Sequence, residues 1–292
     1  MNNNFQSVFT KERPFDGDET IQATPHKLGN ISITKREIKE EMKNLDKWKA
    51  TGPDEISNWV LKECAEELSK PLQIIFQKSV SNGKLPEIWK KANIVPLYKK
   101  GNRQCPLNYR PVSLTSVVCK ILEKLIRKKW VEHLEKHEIL SERQYGFGKG
   151  KSCVTNLLSY YDRVAETMQE GDGWVDSIYL DFKKAFDRVP HKRLIWKLEY
   201  IGGIQGHLLK WMQDFLKERE MRTILREKYS SWREVTSGVP QGSVLAPIMF
   251  LVYINYINDN ISTESYLNMF ADDAKIQKTI KMRIHAGNYK KT

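Results

Sequence analysis

The chain has 292 residues, 40% of them hydrophobic and 10% aromatic, which supplies apolar material for a sizeable core and excludes wholesale disorder. Lysine and arginine number 48 against 36 aspartates and glutamates, a net charge of +12, so a polyanion is an expected partner; charge alone does not separate nucleic acid from an anionic membrane. No apolar run approaches the ~18 residues that a membrane span needs. The N-terminus Met1–Phe5 is too polar for a signal peptide, and Cys64, Cys105, Cys119 and Cys153 form no CxxC pair. No zinc site or disulfide framework is therefore expected, and a reducing intracellular compartment, cytoplasm or nucleus, fits.

Residues 1–30 are broken by Pro14, Gly17, Pro25 and Gly29 and read as a linker or disordered tail. Helical spacing of Ile38, Met42 and Leu45 predicts an amphipathic helix, stopped at Thr51-Gly52-Pro53-Asp54. A second helix is predicted from Ser57, an N-cap, to Lys70; Pro71 interrupts it and Leu72 to Val80 resumes. Ala92–Tyr98 is a strand candidate, Leu114–Leu134 a long basic helix and Val154–Gln169 another helix. Val175–Phe182 is strand-like, whereas Lys192–Tyr200 and Leu208–Leu216 are helical. Met221–Leu225 and Trp232–Val235 suggest a hairpin, Ser243–Ile257 a helix, and Tyr266–Phe270 with Ala274–Gln277 two strands around a turn. Helices and strands mix without a regular βαβ repeat, which favours α+β over a doubly wound sheet.

Asp272 and Asp273 lie between two apolar segments, so a tight turn would hold both at a hairpin tip. Asp181 ends another strand candidate; if the strands pair, Asp181 and Asp272 meet at one sheet edge. Such hard oxygens suit magnesium, which keeps waters and phosphates as its other ligands, and a two-metal pair activates an attacking hydroxyl and stabilises the leaving group. Acidic pairs on turns are most often merely solvated, so further motifs must decide.

Six segments do so: Thr51-Gly52-Pro53-Asp54, Asn108-Tyr109-Arg110-Pro111-Val112-Ser113-Leu114, Gln144-Tyr145-Gly146-Phe147, Asp181-Phe182-Lys183-Lys184-Ala185-Phe186-Asp187, Ser237-Gly238-Val239-Pro240-Gln241-Gly242-Ser243-Val244-Leu245-Ala246-Pro247 and Phe270-Ala271-Asp272-Asp273. In this order and spacing the chain resembles the reverse transcriptase domain of non-LTR, LINE-type retrotransposons over roughly residues 30–280. The resemblance implies a right-hand polymerase, α+β, with helical fingers at 31–174 (with parts of the palm) and a ferredoxin-like palm at 175–280. Residues 281–292 are read as a divergent tail and the thumb as absent, so processive synthesis is not expected of this chain. The implied activity is RNA-directed DNA synthesis on an RNA template and DNA primer, with dNTPs and two Mg2+ or Mn2+ ions. No membrane and no protein partner are indicated. The alternative is a non-catalytic nucleic-acid-binding relic of such an enzyme.

The resemblance also assigns roles. Asp181, Asp272 and Asp273 are the catalytic acids and metal ligands, with the backbone carbonyl of Phe182 near a metal. Ala185 and Phe186 belong to the nucleotide site, Phe186 as the aromatic gate that excludes a ribose 2′-hydroxyl; its competing role is a core aromatic. Gln241 touches the incoming nucleotide, and Gly242 shapes a loop entering a helix. Arg110 grips the triphosphate, and Lys99 or Lys100 is a second grip, the choice between them open.

Other patterns are set aside. Gly146–Ser152 is like a phosphate-binding Walker loop, but its first glycine is one residue out of register. His133 and His137 stand at i, i+4 without the HExxH pattern, so a solvated helix face is expected rather than zinc. Lys124, Arg127, Lys128 and Lys129 line one helix, as a nucleic-acid path or a simple basic face.

Overall fold

The computed structural model describes residues 1–17, 21–169, 173–226, 228–262 and 264–281. It resolves into two compact units, Met1–Leu140 with Lys184–Tyr253, and Ser141–Lys183 with Ile254–Thr292. Both mix helix and sheet, as the irregular alternation in the sequence predicts. The division falls elsewhere than the boundary near residue 174, because residues 141–183 pair and pack with the hairpin near the C-terminus. The expected tail at 281–292 lies, beyond Lys281, outside the described residues.

In chain order the elements are α1 (Asn2–Gln6), α2 (Lys35–Lys43), α3 (Asn58–Glu63), α4 (Ala65–Asn82), β1 (Lys91–Tyr98), β2 (Tyr109–Leu114), α5 (Val117–Lys136), α6 (Cys153–Gln169), β3 (Gly173–Asp181), α7 (His191–Tyr200), α8 (Gly206–Leu216), β4 (Arg219–Leu225), β5 (Lys228–Tyr229), β6 (Arg233–Val235), α9 (Ala246–Ile254), β7 (Ser265–Phe270) and β8 (Asp273–Lys281). Three differ from the sequence reading. Residues 1–30 carry α1, whose Phe5 buries against Ala92, Ile94 and Met221. Pro71 lies inside an unbroken α4, and the break comes at Cys64. A proline costs a helix one backbone bond, but Ala65, Ser69, Leu72, Phe76 and Val80 bury as a single stripe that keeps the axis continuous. The basic helix begins only at Val117, capped by Ser116 accepting from the Cys119 N–H, because Tyr109–Leu114 pairs with β1 as a strand.

In the first unit, α2 packs on α3, α4 and α5, and α8 packs on α4 and α7. Ile38, Met42, Phe76, Ile121, Leu122, Ile126, Trp130, Trp211 and Phe215 form its buried centre. Each such side chain stabilises the fold by roughly 1.5–3 kcal/mol on leaving water. Thr34 and Glu37 close a capping box at the start of α2, and Glu37 also meets Lys129 at 2.9 Å while Lys124 meets Glu41 at 2.9 Å. Two of the four basic groups singled out on α5 therefore tie helices together. A sheet of order β2-β1-β4-β5, with β6 also on β4, completes this unit; β1 runs parallel to β4 and antiparallel to β2.

The second unit is a three-stranded antiparallel sheet, order β3-β8-β7, with α6 on it. Polar contacts fasten the helix. Asn156 donates to the Met269 carbonyl at 3.2 Å, Tyr160 and Ser177 share a hydroxyl bond of 2.9 Å, and Thr167 meets Thr279 at 3.1 Å.

Candidate active site

In the second unit, Asp181 is the last residue of β3 and pairs directly across from Asp273, the first residue of β8. Directly opposed residues of an antiparallel pair share a face, so these carboxylates stand on one side of the sheet end. Both are exposed. Asp272 belongs to the two-residue turn Ala271–Asp272 that joins β7 to β8, rather than to the strand register with Asp181. The strand pattern predicts Asp181 beside Asp272; the register makes Asp273 the cross-strand partner, with Asp272 its chain neighbour. Phe182 follows Asp181 in the same unit and is exposed. Among the described residues no three His, Cys, Asp or Glu groups are grouped to hold a metal by themselves. The hard-oxygen pair fits a magnesium that keeps waters and substrate phosphates among its ligands.

Ala271 holds φ 53, a left-handed conformation that costs a non-glycine residue roughly 1–2 kcal/mol. Gln144 holds it there. Its buried Oε1 accepts the Ala271 N–H at 2.9 Å and the Gly146 N–H at 2.7 Å, while Nε2 donates to the Ala271 carbonyl at 3.3 Å. Tyr145 N–H donates to the Met269 carbonyl at 2.8 Å. A Cβ on Gly146 would lie 2.5 Å from the Ala271 nitrogen, so only glycine allows this approach. In the sequence Gln144–Phe147 is a family motif; in the structure it clamps the acid turn. In the neighbouring loop Lys151 donates to the Glu142 carbonyl at 2.7 Å.

In the first unit a second constellation gathers around Gln241. Lys184 has φ 55 and opens a short 3-10 turn, Ala185–Arg188. Phe186 on that turn stacks on Phe250 of α9, centroids 4.5 Å apart, and stays partly accessible. The loop 237–243 docks on this turn. Val239 N–H donates to the Phe186 carbonyl and Ser237 Oγ to the Asp187 carbonyl, each at 2.8 Å. Gly238, φ 86, crosses so closely that a Cβ would be 2.6 Å from the Phe186 oxygen.

Gln241 is fixed at both ends. Its carbonyl accepts the Ser113 N–H of β2 at 2.8 Å, and its Nε2 donates to Asp187 Oδ1 at 2.7 Å. Gly242, φ 119, approaches the Ser113 carbonyl to 2.5 Å from where a Cβ would sit. Glu123, buried on α5, accepts the N–H groups of Val244 at 2.7 Å and Leu245 at 3.1 Å, and Ser243 Oγ caps the Ala246 N–H at 3.1 Å. The carboxylate thus satisfies donors at the start of α9, where the helix end favours negative charge.

Arg110 lies on β2 opposite Leu97 of β1, exposed, and Lys99 and Lys100 are exposed at the hairpin end. Lys99 N–H still bonds the Asn108 carbonyl at 2.8 Å, which extends the ladder by a residue. Alternation then gives Lys99 the face of Leu97 and Arg110. His133 and His137 are not simply a solvated face: His26 stacks on His137 at 3.8 Å, and burial together with the neighbouring imidazoles lowers the pKa of His133.

Residues 97–286 match the reverse transcriptase (RNA-dependent DNA polymerase) family. The chain belongs to that family. It is 30% identical over 222 residues to the probable RNA-directed DNA polymerase from transposon BS of Drosophila melanogaster, covering 76% of this chain and 24% of that protein. Similarity to the RNA-directed DNA polymerase from mobile element jockey of the same species is 29% over 223 residues, again 76% and 24%. The probable polymerase from transposon X-element is 29% identical over 241 residues, 81% and 26%. The reverse transcriptase domain is thus of the LINE-type kind that the six motifs indicated, and the chain spans about a quarter of the length of the curated relatives it matches. Among the described residues no helix is long and apolar enough to cross a membrane.

Proposed function

We propose that this domain catalyses RNA-directed DNA synthesis, adding dNTPs to a primer 3′-hydroxyl on an RNA template inside the cell. The observation that carries the reading is the β3–β8 register, with Asp181 opposite Asp273 and Asp272 beside it. In this reading the unit with that sheet serves as palm, and the helical part of the first unit as fingers.

Asp181, Asp272 and Asp273 would hold Mg2+ or Mn2+, with the Phe182 carbonyl nearby. The bound ions would supply charge for the attacking hydroxyl and the leaving pyrophosphate. The chain's own residues do the rest. The planar fork of Arg110 suits triphosphate oxygens, and Lys99, sharing its face, is favoured over Lys100 as the second grip. Gln241 and Gly242 line the nucleotide along a loop held on three elements. Ala185 and Phe186 lie under the sugar, where one face of the Phe186 ring rests on Phe250 and the remainder excludes a 2′-hydroxyl. The +12 charge supports template–primer binding through phosphates, with log affinity falling about 0.9 per contact against log salt for B-form DNA.

The test is primer extension by the 292-residue chain on poly(rA)/oligo(dT) with Mg2+ or Mn2+. Metal-dependent dTTP incorporation is expected. Asp181→Asn should lower it on the order of a thousandfold. Its exposed site predicts a stability change within about 0.5 kcal/mol. Incorporation untouched by Asp181→Asn overturns the site. Salt-sensitive duplex binding without incorporation under either metal would instead favour the binding-only relic.

A further inference from the structure

Asp187 has no part in the roles inherited from the family resemblance, yet it is buried, and its Oδ1 accepts the Gln241 carboxamide N–H at 2.7 Å. Its Oδ2 is buried without a hydrogen-bond partner. A buried carboxylate with one oxygen unmatched is costly and persists where something needs it. The frame around the pair is rigid: the Asp187 carbonyl takes the Ser237 hydroxyl, and the Gln241 carbonyl takes the Ser113 amide. The pair also lines a small, largely apolar cavity with Phe5, Ile94, Met221 and Val239. In such low-dielectric surroundings a charge-assisted hydrogen bond is strong.

A glutamine side chain has two chemically different ends that can exchange by rotation. An ionised carboxylate only accepts, so it selects the rotamer in which nitrogen faces Asp187. The second N–H and the oxygen are then what a nucleotide meets, always in the same order. We propose that Asp187 is a positioning residue for Gln241, fixing the orientation of the carboxamide that meets the incoming nucleotide; this rests on the polymerase reading above. The charged groups around Asp187 are Lys184 on its own turn, with Arg219 and Glu220 on β4, which line the same cavity. His191 on α7 bonds the Gly238 carbonyl at 2.8 Å and is the nearby imidazole. Burial pushes the Asp187 carboxyl above the ordinary aspartate range, against the Gln241 hydrogen bond and the Lys184 charge.

Two readouts on the 292-residue chain test this. In 1H–15N spectra the Gln241 side-chain NH2 pair, identified by its loss in Gln241→Ala, should titrate with a midpoint above the ordinary aspartate range. It should stay still in Asp187→Asn, whose oxygen still accepts but cannot ionise. A pair that moves equally in Asp187→Asn reports His191 or another group and overturns the proposal. In primer extension, Asp187→Leu should raise the KM for dTTP about tenfold or more, the scale of a lost hydrogen bond to a charged group, with a smaller change in kcat. Asp187→Asn should restore KM. In a Gln241→Ala background Asp187→Leu should add no further loss; additive losses overturn the positioning role. If the wild-type chain incorporates nothing, the polymerase reading fails on its own, and the spectra still decide whether Asp187 orients Gln241.

Discussion

The acid turn at Ala271–Asp272 and the loop leading into α9 are both irregular backbone, and each is clamped by one buried side chain that takes two N–H groups. The clamps differ in charge. Gln144, neutral, accepts from Ala271 and Gly146 and gives a hydrogen back to the Ala271 carbonyl. Glu123, a carboxylate, accepts from Val244 and Leu245. Each choice follows from its surroundings. Beside Asp272 and Asp273 another carboxylate would add like charge, whereas a carboxamide satisfies both donor and acceptor at no electrostatic cost. At the start of α9 the unpaired amides present partial positive charge, and buried Arg219 adds attraction to Glu123.

The largest effect is expected at Glu123. Glu123→Ala leaves two amides at the start of α9 without their acceptor and removes the anion that offsets a buried guanidinium. Arg219 has its own anchors in the Phe215 carbonyl at 2.9 Å and the face of the Phe215 ring, so it cannot simply swing into water. Leaving each buried amide without its acceptor costs about 1–3 kcal/mol. Urea unfolding at neutral pH checks this. A loss below about 1 kcal/mol would mean the amides find other partners and that the anionic clamp is dispensable.

Gln144 is next. Gln144→Leu should destabilise by about 1–3 kcal/mol, because buried backbone groups lose their partners while the left-handed Ala271 loses its restraint. Gln144→Glu separates charge from shape: one oxygen still accepts, but the donor to the Ala271 carbonyl is gone and a like charge sits by the acids. Glutamate should therefore be no better than leucine at neutral pH and should recover as pH falls and its carboxyl protonates. A glutamate variant as stable as wild type at neutral pH would show that charge plays no part in the difference between the clamps.

These contrasts also show what the sequence could and could not convey. The element pattern was readable wherever one face buries, as on α2, α7 and α8, because apolar spacing records burial directly. It misled at Pro71 and before Val117, where tertiary pairing and packing outweighed local punctuation. The acids were visible as residues, but their register was not: whether Asp272 or Asp273 opposes Asp181 is set by the pairing of β3 with β8, strands distant in the sequence, and Ala271 bears no glycine to signal a left-handed position. Asp187, Glu123 and Gln144 were missed for a common reason. Each acts through a hydrogen bond to a residue 54, 121 or 127 positions away, and no local pattern records such a pairing.

The smallest effect asked for is one of discrimination rather than stability. Phe186 lies on the turn beneath the Gln241 loop and stacks on Phe250 at an interplanar angle of 17°. One ring face is thus committed to packing while part of the side chain remains accessible, so the same residue can serve both core and gate. Phe186→Val removes the ring but keeps an apolar floor. Lost stacking should cost about 0.5–1.5 kcal/mol of stability. If the ring also occupies the space a ribose 2′-hydroxyl needs, deoxy selectivity should fall at least tenfold, about 1.4 kcal/mol at the transition state. The comparison of kcat/KM for dGTP and rGTP isolates the second effect, because a general loss of folded protein lowers both equally and leaves their ratio alone. A ratio unchanged in Phe186→Val, with dGTP turnover intact, would make Phe186 a packing residue of the clamped loop and move the sugar gate elsewhere.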